Sequence, residues 1–163
     1  MSTEQRRLTL RRTMNASAAD VFAAFLSADA IKHWWAPAGY EVLHVAVDAR
    51  VGGRYRLETQ APGGSPSVTI HGMFREIDPP RRLVFTHTFE PYSSDEPLAA
   101  VGLTDHRTLV TVELHVHRGG TEVVLVQEKI PTEEAEGMLR QGWESILDRL
   151  GVYVAQTGRE APR

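Results

Sequence analysis

Residues 133–156 read EEAEGMLRQGWESILDRLGVYVAQ, and this stretch predicts one long amphipathic helix. Thr132 is a natural N-cap, and the glutamates that follow it suit the positive end of a helix dipole. At roughly 1.5 Å per residue the helix would be about 36 Å long, enough to cross a whole domain. One helical stripe carries the large apolar residues Leu139, Trp143, Ile146, Leu147, Leu150 and Val154. A stripe of this length can be buried only against the concave side of a strongly curved sheet.

Three glycines, Gly137, Gly142 and Gly151, lie inside this helix. Each costs about 1 kcal/mol relative to alanine in a helix interior. One explanation, which we favour, is that a small residue lets the helix pass close to a bulky neighbour. The other is that the glycines leave space beside the helix or allow it to bend.

The rest of the chain predicts two short helices and a series of strands. Residues 6–14 alternate weakly between apolar and polar side chains, which indicates a first strand. Ser17 then fits as the N-cap of a short helix, and residues 27–29 offer a break and a fresh N-cap for a second one, which ends near Trp34. From residue 40 the period is two, and six strands are predicted at 40–48, 54–60, 67–78, 83–90, 108–117 and 121–130. This order of elements predicts an α+β fold with an antiparallel meander.

The composition is that of one globular domain, with a core at about 8–156 and a polar tail at 157–163. The 163 residues are 42% hydrophobic and 24% charged. A net charge of −3 gives no reason to expect nucleic acid or an anionic membrane as partner. The absence of cysteine excludes a disulfide, a thiol nucleophile and a cysteine-based zinc site. Because no signal-peptide core and no apolar run of roughly 20 residues is found, we expect a cytoplasmic protein.

Five stretches, taken in order, resemble a known superfamily. They are HWWAP at 33–37, DARVGGRYRLET at 48–59, HGMFREIDPPRRLVFTHTF at 71–89, GGTEVVLVQE at 119–128 and GWESILDRL at 142–150. Together they are similar to the helix-grip fold of the START and birch-pollen-allergen (SRPBCC) superfamily. Within it the chain resembles the bacterial proteins related to the activator of the heat-shock-protein-90 ATPase. The resemblance runs from about Leu8 to Val154 and implies a curved sheet of about seven strands wrapped around the C-terminal helix.

The resemblance implies a function only at the level of the superfamily. Its members include lipid carriers, hormone receptors, polyketide aromatases and cyclases, ring-hydroxylating oxygenase subunits and stress proteins. What they share is the holding of a hydrophobic small molecule. The eukaryotic co-chaperones carry a further N-terminal domain that we do not find here, so co-chaperone activity is not expected to carry over.

We expect a cavity between the sheet and the long helix. Its predicted lining residues are Trp34, Trp35, Tyr55, Phe74, Phe85, His87, Phe89, Val112, Leu114, Leu125, Gln127, Met138 and Gln141. Mostly apolar side chains supply contact area, while Tyr55, His87 and Gln127 would orient the bound molecule. By strand alternation His87 shares a face with Phe85 and Phe89, although it could equally be a core histidine bonded to a backbone carbonyl or to Tyr55.

The adjacent tryptophans, Trp34 and Trp35, raise a question of direction. Neighbouring helical residues point about 100° apart, so both rings are not expected to face one surface. We expect one ring to seal the short helices against the sheet and the other to reach the rim of the cavity. The sequence does not say which ring does which, and both could be core residues only.

Other residue patterns give no catalytic or metal site. His115 and His117 share one face of a strand, but no further ligand is nearby to complete a zinc site. The chain has no G-x-S-x-G nucleophile elbow, and its glycine pairs precede strands, as hairpin turns do. No pair of carboxylates can be placed together. We therefore expect no metal and no other cofactor, and His87 is the one candidate acid or base.

Residues 91–107 form a loop that is long for a hairpin. Its apolar run at 98–103, LAAVGL, could cover the mouth of the cavity, which we favour, or be buried in a homodimer. Three functions therefore stay open. The leading hypothesis is a non-enzymatic binder or carrier of an apolar or aromatic small molecule. The alternatives are an aromatase- or cyclase-like enzyme that uses His87, and a protein-interaction or co-chaperone-like module.

Overall fold

A computed structural model describes residues 6–64, 67–90 and 97–160 of the chain. The described residues form an α+β fold of seven strands and four α-helices. In chain order these are β1 (Arg6–Met14), α1 (Ala18–Leu26), α2 (Ala28–Trp34), β2 (Glu41–Val47), β3 (Arg54–Gln60), β4 (Ser67–Asp78), β5 (Arg82–Phe89), α3 (Pro97–Ala100), β6 (Thr108–His117), β7 (Gly120–Ile130) and α4 (Glu133–Glu160). Every predicted strand is confirmed, with ends that agree within one residue. The helix α4 continues to Glu160, four residues beyond the helix end predicted at residue 156.

One antiparallel sheet contains all seven strands, in the order β1-β7-β6-β5-β4-β3-β2. Strands β2 to β7 follow one another as the predicted meander, and β1 pairs with β7. The sheet curves around α4, and the helix buries the whole predicted stripe from Leu139 to Val154. The helix-grip architecture expected from the resemblance is therefore confirmed.

The helix starts follow the predicted caps. The Ser17 hydroxyl accepts a hydrogen bond from the backbone N–H of Asp20 at 3.1 Å, which begins α1. The Ser27 hydroxyl accepts from the N–H of Ala30 at 3.2 Å and so separates α1 from α2. Thr132 caps α4 in the same way. These polar residues fix where the helices begin because they satisfy donors that have no partner inside the helix.

The glycines of α4 do not lie against a bulky neighbour, so the explanation that we favoured from the sequence is wrong. A Cβ built on Gly137, Gly142 or Gly151 meets no atom within 4 Å. Gly151 instead lines a surface groove of about 370 Å³ between β1 and α4. The glycines therefore leave space beside the helix.

Replacing Gly137 or Gly142 by alanine is expected to stabilise the protein. Each change gains about 0.5–1 kcal/mol of helix propensity, and the new methyl group clashes with nothing. Urea denaturation should show a higher midpoint for each variant. The matched control is Gly53→Ala, where the new Cβ would lie 2.1 Å from the Asp48 carbonyl oxygen, and its midpoint should fall. Lower midpoints for both helix variants would contradict the assignment of open space.

Strand β1 is an edge of the sheet, and arginine side chains contact its backbone. Arg140 of α4 donates a hydrogen bond to the carbonyl oxygen of Thr9 at 3.4 Å. Arg12 donates to the carbonyl oxygen of Arg11 at 3.1 Å. Carbonyl groups two residues apart point to the same side of a strand, so both guanidinium groups lie along one side of β1.

Candidate functional site

An aromatic cluster lies between the sheet and α4. We use this name for the six residues Trp35, Tyr55, Phe74, Phe85, His87 and Trp143, all of which are buried. The centroid of the Trp35 ring lies 5.6 Å from that of Phe85 and 5.8 Å from that of Trp143. The His87 and Trp143 centroids are 5.9 Å apart. The cluster thus brings β3, β4, β5, α2 and α4 together in one set of contacts.

The two adjacent tryptophans are both buried, and their rings stack with centroids 5.3 Å apart. The expected angle of about 100° between them was wrong because α2 ends at Trp34, and Trp35 follows it with φ −85° and ψ 60°. The Trp34 indole N–H donates to the Ala24 carbonyl oxygen at 3.2 Å, which fastens α2 to α1. Trp35 belongs to the aromatic cluster. Both rings are therefore buried in the core, which is the alternative that the sequence left open.

The helix α4 holds the segment that carries Trp35. The guanidinium group of Arg149 donates hydrogen bonds to three carbonyl oxygens at the end of α2, those of His33, Ala36 and Pro37. The Ser145 hydroxyl accepts from the backbone N–H of Ala38 at 2.8 Å. A cation at a helix C-terminus satisfies free carbonyl groups and complements the helix dipole. The position of Trp35 is therefore set largely by two side chains of α4.

Tyr55 has a structural bond that the sequence did not predict. It pairs with Gly72 across β3 and β4, and its hydroxyl donates to the Thr86 carbonyl oxygen of β5 at 2.7 Å. The Thr86 hydroxyl in turn accepts from the backbone N–H of Met73 at 2.9 Å. Burial raises the pKa of the Tyr55 hydroxyl well above its ordinary value. Tyr55 therefore joins three strands, and its one proton is already engaged in the fold.

A chain of buried hydrogen bonds connects α4 to the central strands. The Trp143 indole N–H donates to the Gln127 side-chain oxygen at 2.7 Å. The Gln127 amide nitrogen donates to the Thr108 hydroxyl at 2.8 Å, and that hydroxyl donates to the His87 carbonyl oxygen at 2.7 Å. An indole nitrogen can only donate, which fixes the direction of the chain. Gln127, predicted to orient a ligand, is therefore bonded at both ends of its amide to the protein.

Two ring nitrogens of the aromatic cluster have no hydrogen-bond partner among the described residues. They are Nε1 of Trp35 and Nδ1 of His87. The two residues are only 4% and 3% exposed, and both rings contact the Trp143 ring. Buried polar side-chain atoms are bonded in the large majority of cases. These two nitrogens are thus the available polar groups of the cluster.

His87 is held as a neutral imidazole. Burial, together with the nearby His71, lowers the pKa of His87 from 6.5 to about 3. A group with so low a pKa is a weak base near neutral pH, far from the matched pKa that general acid–base catalysis needs. The neutral ring can still exchange hydrogen bonds with a neighbouring molecule.

The other predicted lining residues divide into two groups. Val112, Leu114 and Leu125 are buried, whereas Phe89 is half-buried and its ring centroid lies 5.0 Å from that of His87. On α4, Met138 is half-buried and Gln141 is exposed. Sequence reasoning placed Trp143 only in the apolar stripe, and no signal in the sequence pointed to Thr108.

The loop at 91–107 includes residues 91–96, which lie outside the described part. In the remainder, Leu103 is buried, and Leu98 and Val101 pack against the core. The Thr132 hydroxyl donates to the Val101 carbonyl oxygen at 2.8 Å, which ties this segment to the start of α4. The three largest side chains of the apolar run LAAVGL therefore pack against the core of the chain.

His115 and His117 are exposed at the end of β6. Among residues 6–64, 67–90 and 97–160, no three side chains of the metal-ligating types come together. In the same described residues, the helices are all too short or too polar to cross a membrane.

Comparison with known proteins gives the family. The family described as "Activator of Hsp90 ATPase homolog 1-like protein" matches residues 15–155. No protein with a curated description matches the sequence significantly. Among solved structures, a Chromobacterium violaceum protein superposes with a TM-score of 0.78 at 27% identity, over 92% of this chain and 98% of its own. An AHSA1-like protein from Aeromonas hydrophila superposes with a TM-score of 0.72 at 23% identity, over 97% of this chain and 98% of its own. Because the family match spans most of the sequence and the fold agrees, the chain belongs to the family of Activator of Hsp90 ATPase homolog 1-like proteins.

Proposed function

We propose that this protein binds an aromatic or otherwise apolar small molecule between the sheet and α4, without transforming it. The observation that carries the proposal is that two buried ring nitrogens, Nε1 of Trp35 and Nδ1 of His87, have no hydrogen-bond partner within the part of the chain that the structure describes. A site with mostly apolar walls and a few polar groups is the usual composition of a small-molecule pocket. Family membership supports the proposal at the level of the fold class.

The chemistry of His87 favours binding over catalysis. The aromatase- or cyclase-like alternative requires this imidazole to give and take protons near neutral pH. Its pKa of about 3 makes it a poor acid–base group but leaves it suitable as a hydrogen-bond partner. No other titratable side chain of the described residues lies in the aromatic cluster apart from Tyr55, whose hydroxyl is bonded to Thr86.

We propose that the segment 97–107 covers the His87 end of the site. Thr104 bridges to Phe89, and the Phe89 ring contacts His87 edge-on. The segment is fixed at Leu103, which is buried, and at Val101, which is bonded to Thr132. We propose that this cover shields the bound molecule from water.

Native mass spectrometry of the protein, purified gently from its own host, tests the proposed function. We expect a discrete mass in excess of the chain mass. His87→Phe fills the site and removes the ring nitrogen, so it should displace the bound molecule. His115→Phe is the matched control, since His115 is exposed on β6, and it should retain the adduct. A clean chain mass for the wild type, with no uptake of apolar probes, would overturn the proposal.

A further inference from the structure

In the described part of the chain, the buried side-chain atoms without a hydrogen-bond partner are Nε1 of Trp35, Nδ1 of His87 and Oγ1 of Thr104, which limits what a bound molecule can contact. The indole N–H of Trp34 donates to Ala24, and that of Trp143 donates to Gln127. The Tyr55 hydroxyl donates to a backbone carbonyl. The Trp35 N–H is therefore the indole donor that stays available, and an indole N–H can only donate. A molecule that satisfies it must bring a hydrogen-bond acceptor.

Within the ranges that the structure describes, the buried interior also offers no charged side chain to pair with a charged ligand. Among the described residues, the fully buried polar side chains are five threonines, Gln127 and His87. None of them is a lysine, an arginine, an aspartate or a glutamate. A carboxylate moved into such a site would lose its hydration without gaining a cation.

We propose that the site selects uncharged aromatic molecules that carry an oxygen acceptor, such as phenols, aryl ketones and quinones, and discriminates against carboxylates of the same shape. The oxygen accepts the Trp35 N–H while the ring of the ligand packs against Trp143. This inference rests on the proposed function and adds the chemical class of the ligand. It also excludes free fatty acids and aromatic acids as the preferred ligands.

Isothermal titration with three probes of matched shape tests the inference. The probes are naphthalene, 2-naphthol and 2-naphthoate, at neutral pH. We expect 2-naphthol to bind about three- to tenfold more tightly than naphthalene, the range that one neutral hydrogen bond supplies. We expect 2-naphthoate to bind about a hundredfold more weakly than 2-naphthol, because its charge is left unpaired.

Two phenylalanine variants assign the effect to one nitrogen. Trp35→Phe keeps an aromatic ring but removes the available N–H, so the preference for 2-naphthol over naphthalene should disappear. Trp34→Phe is the control, because that N–H is already bonded to Ala24, and the preference should persist. Near-ultraviolet circular dichroism verifies folding. If a variant does not fold, the three probes on the wild-type protein still decide.

The outcomes separate the inference from the proposed function. Equal or tighter binding of 2-naphthoate, or of naphthalene, would overturn the inference while the proposed function stands. A preference for 2-naphthol that survives in Trp35→Phe would overturn the assignment to that nitrogen. If none of the three probes binds, both proposals are wrong.

Discussion

Replacing Gly72 by alanine is expected to lower the free energy of unfolding by about 3 to 5 kcal/mol, through overpacking and broken hydrogen bonds. A Cβ at this position would lie 1.9 Å from the Thr86 carbonyl oxygen and 2.5 Å from the Tyr55 ring. The nearest obstacle is backbone, so β4 has to move away from β5. That movement also separates the Tyr55 hydroxyl from Thr86, a bond that joins β3 to β5. Urea denaturation measures the loss, which is a large share of the stability of a typical domain.

The control for this prediction is Gly142→Ala, which makes the same chemical change where a Cβ meets no atom within 4 Å. It should raise the denaturation midpoint while Gly72→Ala lowers it. If Gly72→Ala retained the wild-type midpoint, the close approach of β4 and β5 would be refuted.

Lowering the pH is expected to destabilise the protein through His87. The folded-state pKa is about 3 and the ordinary value is 6.5, so the unfolded chain binds the proton first as the pH falls. The contribution of neutral His87 to the free energy of unfolding is complete above about pH 6.5. It is lost progressively toward about pH 3, with a slope of about 1.4 kcal/mol per pH unit. By about pH 4 the loss reaches roughly 3 kcal/mol. Urea midpoints measured across this range give the slope.

The variant His87→Leu isolates this contribution from the titration of carboxylates, which both proteins share. Its stability should fall less steeply with pH than that of the wild type, and the difference should vanish near neutral pH apart from a constant offset. His115→Leu removes an exposed imidazole and should leave the wild-type slope unchanged. Parallel curves for wild type and His87→Leu would show that His87 is not buried as a neutral group.

The fold could be predicted from the sequence because its signals are local. The alternation of apolar and polar side chains predicted the strands. The helix starts were predicted from caps at Ser17, at 27–29 and at Thr132, because each cap acts within three residues of itself. Local signals fail at the ends of elements. By alternation Val116 shares the face of the buried residues Val112 and Leu114, but it is 82% exposed because the strand is leaving the core at that point.

The site was predicted only in outline because its decisive contacts join distant residues. The Tyr55 hydroxyl bonds to Thr86, and Gln127 bonds to Trp143 and Thr108. Residue type alone suggested that Tyr55 and Gln127 were free to contact a ligand. The direction of the Trp35 ring was predicted wrongly for a different reason. An angle of about 100° between neighbouring side chains holds only inside a helix, and α2 ends at Trp34, one residue before Trp35. His87 was placed on the correct face because strand alternation is a local rule.

The arginines beside β1 have a consequence for how the protein behaves at high concentration. An edge strand with free backbone groups is a template to which a strand of another molecule can add, and such addition propagates into aggregates. On β1 the carbonyl oxygens of Thr9 and Arg11 already have guanidinium partners. A strand that adds to this edge would have to displace both guanidinium groups. If that strand is β1 of a second molecule, its arginines would also repel those of the first. One of the two guanidinium groups, that of Arg140, comes from α4, so we expect the long helix to help protect this edge of the sheet from self-association.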